Sequence, residues 1–165
     1  MGLDVALITV SDTRTPETDK SGDYLAQAAL DAGHRVATRL LVRDEMYHLR
    51  AQAALLIART DLQVIVLTGG TGFSRRDITP EAVKPLLDRH VPGFGEFFRA
   101  LSIKEVGTAS IQSRAFAGIA NNKLVCGLPG SQNACITAWE GILREQLDAA
   151  FAPCNFAELL KIAKD

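Results

Sequence analysis

The sequence is poor in the groups that most often announce a function. Its three cysteines, Cys126, Cys135 and Cys154, are odd in number and contain no close pair, which excludes a disulfide framework and a cysteine zinc site. Cys126 in an apolar run and Cys135 on a helical stretch are expected as small core residues. The three histidines, His34, His48 and His90, lie far apart without metal-ligand spacing. No apolar run approaches the roughly 18 residues of a membrane span. A formal net charge of −1 gives no general basic field for nucleic acid. Met1-Gly2-Leu3-Asp4-Val5 lacks the basic start of a secretory signal, and Ala6 stands where a myristoylation signal needs Ser or Thr. No Ser/His/Asp or Cys/His arrangement is evident. The expectation is a cytoplasmic protein with no nucleic-acid or membrane partner. Its 165 residues, 47% of them hydrophobic, suffice for one domain spanning residues 1–165.

What the chain does have is concentrated in one stretch. The short β-branched run Val64-Ile65-Val66-Leu67 reads as a buried strand of a parallel sheet. It empties into Thr68-Gly69-Gly70-Thr71-Gly72-Phe73-Ser74-Arg75-Arg76-Asp77-Ile78-Thr79-Pro80. Glycine tolerates positive φ and lacks a Cβ, so a ligand can lie directly against the N–H groups of such a loop. Thr79, Pro80 and Glu81 suit the N-cap, first position and first-turn acid of a helix. A tight strand-to-helix turn does not need threonines, serine, arginines and an acid together, so the stretch is read as a site for a phosphorylated ligand. It is neither a P-loop, which ends in Gly-Lys-Ser/Thr, nor a dinucleotide fingerprint, whose third glycine would fall at Arg75.

In chain order, Asp4 to Val10 reads as a first buried strand ending in the polar turn Ser11-Asp12-Thr13-Arg14-Thr15-Pro16. The segment to Lys20 is expected as a mobile surface loop. A helix from Ser21 to Ala32, with Leu25, Ala28, Ala29 and Ala32 inward, precedes a strand from His34 to Val42. Asp44 is placed to cap a helix from Met46 to about Thr60. After the glycine loop, a helix from Pro80 to about Arg89 breaks at His90-Val91-Pro92-Gly93. A further helix from Phe94 to about Glu105 carries Phe94, Phe97, Phe98 and Leu101 on one face. Asn121-Asn122 joins two short apolar runs as a hairpin turn, since asparagine tolerates the left-handed region. Ser131, after Leu128-Pro129-Gly130, is set to cap a helix to about Leu147 with Cys135, Ala138, Trp139, Ile142 and Leu143 buried. The tail to Asp165 packs on the domain or on a neighbouring subunit. The fold class is α/β, with a mostly parallel sheet and a late antiparallel hairpin.

Four loops therefore lie at carboxyl ends of strands: Ser11-Asp12, Asp44, Thr68 to Asp77, and Pro129-Gly130-Ser131. Ligands gather at that edge of open α/β sheets. Glycine loops receive phosphates, arginines such as Arg75, Arg76 and Arg114 neutralise them, and paired acids can hold Mg²⁺ against them. The parts suit phosphoryl or nucleotidyl transfer, which needs positioning and charge stabilisation more than a protein nucleophile.

Leu67-Thr68-Gly69-Gly70-Thr71-Gly72 with Asp77-x-Thr79-Pro80-Glu81-Ala82, Gly93-Phe94-Gly95-Glu96-Phe97-Phe98-Arg99, Ile111-Gln112-Ser113-Arg114-Ala115 and Leu128-Pro129-Gly130-Ser131 together resemble the MoaB/MogA family of molybdenum cofactor biosynthesis. Ala134-Cys135-x-Thr137-Ala138-Trp139-Glu140 and Pro153-Cys154-Asn155-Phe156 resemble its B-type branch. The resemblance implies a three-layer α/β/α sandwich, a homo-oligomer (trimer or hexamer) and Mg-ATP-dependent adenylylation of molybdopterin with release of pyrophosphate. It implies Asp44 and Asp77 as catalytic acids, with Mg²⁺ possible at both. Ser11, Asp12, Thr68, Gly69, Gly70, Thr71, Gly72, Ser113, Arg114, Pro129, Gly130 and Ser131 would bind nucleotide or pterin. The chain departs from the pattern at Gln132, where the family has proline. Two other readings stay open: a module that binds molybdopterin or a nucleotide without chemistry, and a structural oligomer scaffold.

Overall fold

The computed structural model of the chain describes residues 2–162. Three runs rich in Val, Ile and Leu form the parallel heart of a six-stranded sheet. They are β1 (Asp4–Val10), β3 (Val64–Thr68) and β6 (Lys123–Leu128), and nearly every residue in them is buried. Continuous apolar strands of this kind belong to sheets covered on both faces. The strand order is β2-β1-β3-β6-β5-β4, where β2 is Arg35–Val42, β4 is Arg89–His90 and β5 is Phe116–Ala120. β2, β1, β3 and β6 run parallel, whereas β6-β5 and β5-β4 are antiparallel. The expected hairpin is thus present and extended by a third antiparallel strand. Its turn rests on Asn121 (φ 44°) and Asn122 (φ 57°).

Alternation along β1 builds two cores. Val5 and Leu7 face a cluster with Leu25 of α1 (Lys20–Asp31), Phe94 and Phe98 of α4 (Pro92–Val106), and Cys135 and Ala138 of α5 (Gln132–Ala138). Ala6, Ile8 and Val10 face Leu49, Ala53 and Leu56 of α2 (Met46–Ala58) and Ala82 and Val83 of α3 (Thr79–Val83). The molecule is therefore a three-layer α/β/α sandwich. The chain continues from α5 through a π-turn, Trp139–Leu143, into α6 (Arg144–Gln146), and ends its described part in α7 (Phe156–Ile162). Ala157 and Leu160 bury α7 against the domain. Residues 163–165 of the expected tail lie outside the described residues. No helix among the described residues is long and apolar enough to cross a membrane.

Several elements differ from expectation for local reasons. The helix expected from Pro80 to Arg89 is one short turn, because Pro85 lacks an N–H to continue it. A 3₁₀ turn, Lys84–Leu86, follows, and Arg89 and His90 then join the sheet edge. Helix α4 starts at Pro92, which supplies the preorganised first position, two residues before the expected start. Ala32 lies past the end of α1 and is exposed, while Ala26 takes an inward place. Phe94 and Phe98 are buried, but Phe97 is 54% exposed. The expected mobile loop after β1 is tied down. Asp19, 5% exposed, accepts the Thr9 hydroxyl at 2.6 Å and the Gly22 amide at 3.0 Å, so the apparent polar linker has a buried anchor.

Leu67 lies fully buried in the central strand. Leu67→Ala should lower the free energy of unfolding by about 2–5 kcal/mol, as large-to-small changes in packed cores do. Urea denaturation should show the midpoint falling with little change in slope.

Candidate active site at the strand carboxyl ends

The site starts from the way β3 ends. Gly69 (φ 108°) and Gly70 (φ 68°) adopt backbone conformations that L-residues with side chains avoid. The positions a Cβ would take are already occupied by the protein: 2.2 Å from the Val10 carbonyl oxygen at Gly69, and 2.4 Å from Thr79 Oγ1 and 3.4 Å from Asp44 Oδ1 at Gly70. At Gly72 a Cβ would stand 2.8 Å from Asp77 Oδ2. The missing side chains therefore admit the protein's own groups, rather than a ligand as the sequence suggested. What the turn leaves for a ligand are its amides. Gly70 N–H and Thr71 N–H donate to no acceptor among the described residues.

Thr79 holds the turn in shape. It is the first residue of α3 rather than the expected cap, with Ile78 in the cap position. Its hydroxyl donates to the Gly69 carbonyl at 2.7 Å and its amide to the Gly70 carbonyl at 3.0 Å. Asp77 closes the far end by accepting the Ser74 amide at 2.8 Å. Arg114 clamps the top. Its Nε donates to the Gly72 carbonyl at 2.7 Å, its Nη2 to the Asp77 carbonyl at 2.8 Å and its Nη1 to the Glu81 carboxylate, with the guanidinium 5.0 Å from the Phe73 ring centre. The arginine expected at a phosphate thus spends its fork on the loop itself. Sequence reasoning missed Glu81 and Phe73 as its partners. The signal available was the first-turn acid beside a glycine loop.

The other three loops meet this one. The Thr68 hydroxyl donates to the Pro129 carbonyl at 2.9 Å and the Gly69 amide to the Leu128 carbonyl at 2.9 Å. A Cβ on Gly130 would sit 3.3 Å from Gly69 Cα, so the two glycine loops are in contact. Ser131 caps α5 as expected, accepting the Ala134 amide at 3.2 Å. Asp44 does not cap α2. Glu45 does, accepting the Tyr47 and His48 amides, which leaves the Asp44 carboxylate turned toward Gly70. The Asp44 amide donates to Asp12 Oδ1 at 3.1 Å, and the Ser11 hydroxyl accepts the Thr13 and Arg14 amides. The four loops therefore meet on one rim. Thr71, Gly72, Ser113, Pro129 and Ser131 line a cavity of about 280 Å³ whose far wall includes Phe98 and Val106. Asp12 and Asp44 are not part of its lining. Beneath the glycine turn Cys135 is buried with its sulfur 3.2 Å from the Thr68 hydroxyl, and burial raises its thiol pKa.

Electrostatics differ at the two acids. Burial pushes the Asp44 carboxyl upward, the Asp12 charge adds to this, and Asp77 contributes, against a main-chain hydrogen bond from Asp12 and the Arg76 charge. Burial also raises Asp77, but hydrogen bonds from Ser74 and Gly72 and the Arg114 charge outweigh it and leave it lowered. The rim therefore holds a partly buried carboxylate at Asp44, facing the like charges of Asp12 and Asp77, and a fixed anion at Asp77. The described residues contain no cluster of three or more His, Cys, Asp or Glu arranged to hold a metal ion.

A carboxyl whose folded-state pKa exceeds its unfolded value destabilises the fold once pH passes the unfolded value, and ceases to do so below it. Asp44→Asn should therefore raise the melting temperature at pH 7, with the gain vanishing as pH falls below about 4. Thermal melts of both proteins across that range check the sign.

Residues 6–149 match the family model described as "Probable molybdopterin binding domain". Molybdenum cofactor biosynthesis protein B of Escherichia coli K12 is 51% identical over 157 residues, covering 95% of this chain and 92% of that protein. A crystal structure of a molybdenum cofactor biosynthesis protein B superposes with a TM-score of 0.89 at 34% identity, covering 99% of this chain and 96% of that one. The tungsten cofactor synthesizing protein MoaB from Pyrococcus furiosus gives a TM-score of 0.78 at 36% identity, with 99% and 98% covered. With the glycine turn, its two flanking acids and the cavity beside them on the same rim, the chain belongs to the MoaB/MogA family of molybdenum cofactor biosynthesis proteins.

Proposed function

We propose that this chain adenylylates molybdopterin. A terminal phosphate oxygen of the pterin attacks the α-phosphorus of ATP, the new P–O bond forms as the bond to the β-phosphate oxygen breaks, and pyrophosphate leaves. The attacking group is already an oxyanion, so the chain needs no nucleophile of its own. The observation that carries this reading is the convergence of Asp44 and Asp77 on one glycine turn with free Gly70 and Thr71 amides. The apolar cavity beyond Thr71 and Gly72 suits a flat ring system, and the amides and the exposed Arg75 and Arg76 suit the phosphates.

Carboxylate oxygens are the donors that magnesium prefers, and that ion takes one or two of them together with phosphate oxygens. The like charges of Asp12 and Asp77 facing the Asp44 carboxylate fit such a cation entering with ATP. Asp44 and Asp77 would hold it, and it would supply charge neutralisation at the phosphates. Asp77, fixed by the Ser74 amide and by Arg114 through its carbonyl, positions the loop as well as the charge. Exposed Phe97, Ile103 and Ile111 are apolar surface that a homo-oligomer would cover, a trimer or a hexamer being what the family resemblance implies, and the proposed reaction would run in the cytoplasm.

Asp77→Ala should reduce pyrophosphate release from molybdopterin and Mg-ATP by at least ~100-fold, with circular dichroism unchanged. Unaltered turnover would remove Asp77 from the mechanism. If the wild-type chain binds both ligands in a calorimeter but forms no adenylylated pterin, it is a carrier rather than a transferase.

A further inference from the structure

The Pro129-Gly130-Ser131 loop is held from behind by residues that the motif does not contain. The Gly130 carbonyl accepts two hydrogen bonds, from Arg14 Nη2 at 2.7 Å and from the Ser21 hydroxyl at 2.8 Å. Arg14 is itself held. Its Nη1 lies 3.6 Å from Asp19 Oδ1, and its amide donates to the Ser11 hydroxyl at 3.1 Å. Asp19 is the buried base of this arrangement, fixed also by Thr9, by the Gly22 amide and by Arg39 at 3.6 Å. Arg14 thus joins two halves of the rim, the Ser11-Asp12 corner that supports Asp44 and the loop that walls the cavity.

The peptide between Gly130 and Ser131 is trans, since the one cis bond among the described residues is Ala152–Pro153. In a trans peptide the N–H points opposite to the C=O. Two donors fixing the Gly130 carbonyl therefore fix the direction of the Ser131 N–H, which has no acceptor among the described residues. Ser131 also lines the cavity, beside Thr71 and Ser113.

We infer that Arg14 and Ser21 are positioning residues. By gripping the Gly130 carbonyl from behind, they aim the Ser131 amide at the anionic group of the ligand in the cavity. This rests on the reading of that cavity as the molybdopterin site. Arg14 acts through the loop and not on the ligand, because its Nη2 is committed to Gly130 and its Nη1 faces Asp19. The grip explains why an apparently loose polar segment, residues 11–19, is anchored on a buried aspartate.

Calorimetric titration of molybdopterin into the wild-type chain and the variants Ser21→Ala, Arg14→Ala, Arg14→Lys and Arg59→Ala tests the inference. The dissociation constant should rise roughly tenfold in Arg14→Ala, and severalfold in Ser21→Ala, for loss of donors that preorganise an amide. Arg14→Lys should recover part of the loss. Arg59→Ala removes an ion pair with Asp61 that has no part in the arrangement around Gly130, so it should leave the affinity unchanged even if it lowers the melting temperature. Wild-type binding with no loss in Arg14→Ala and Ser21→Ala overturns the inference alone. A wild-type chain that binds no molybdopterin overturns the site reading and the inference with it. A ligand-free measurement separates the two further: the ¹H–¹⁵N residual dipolar coupling of Ser131 should change in Ser21→Ala, and an unchanged value rejects the grip whatever the ligand.

Discussion

The two hydrogen bonds from Thr79 to the carbonyls of Gly69 and Gly70 are the constraint on which the site depends. They turn the chain out of β3 at positive φ, and that turn brings four loops within reach of one another. Because Gly69 and Gly70 have no side chains, the end of β1, the Thr79 hydroxyl and the Asp44 carboxylate can all close on the turn. The carbonyls are consumed inward and two amides are left outward, the polarity an anion requires.

The acids are not equivalent, and the difference follows from their neighbours. Asp77 is folded into its own loop by the Ser74 amide and an arginine, so it remains an anion at physiological pH. Asp44 sits among like charges with partial burial and less compensation. The rim thus pairs one carboxylate settled by its own loop with one held among like charges.

Much of the arrangement could be read from residue order. The buried strands follow from β-branched runs, the hairpin from Asn121-Asn122, and the clustering of the four loops from their places after strands. The errors have local causes. Asp44 and Glu45 are adjacent acids before one helix, and only the backbone decides which accepts the first amides. Pro85 marks the end of α3, a stop that the apolar pattern through Leu86 and Leu87 conceals. Arg114 looks like a phosphate ligand in sequence, because the carbonyls it serves are 42 and 37 residues away along the chain. Asp19 looks like part of a surface linker, since its burial depends on Thr9 and on arginines from two different segments.

The central claim is that phosphates lie against the Gly70 and Thr71 amides between Asp44 and Asp77. Titration of Mg-ATP into ¹⁵N-labelled protein reads those amides directly. The account predicts that the largest saturable shifts fall on residues 70–72 and 44, weakening when magnesium is withheld. Shifts confined to the opposite edge of the sheet, or none at millimolar nucleotide, would contradict it.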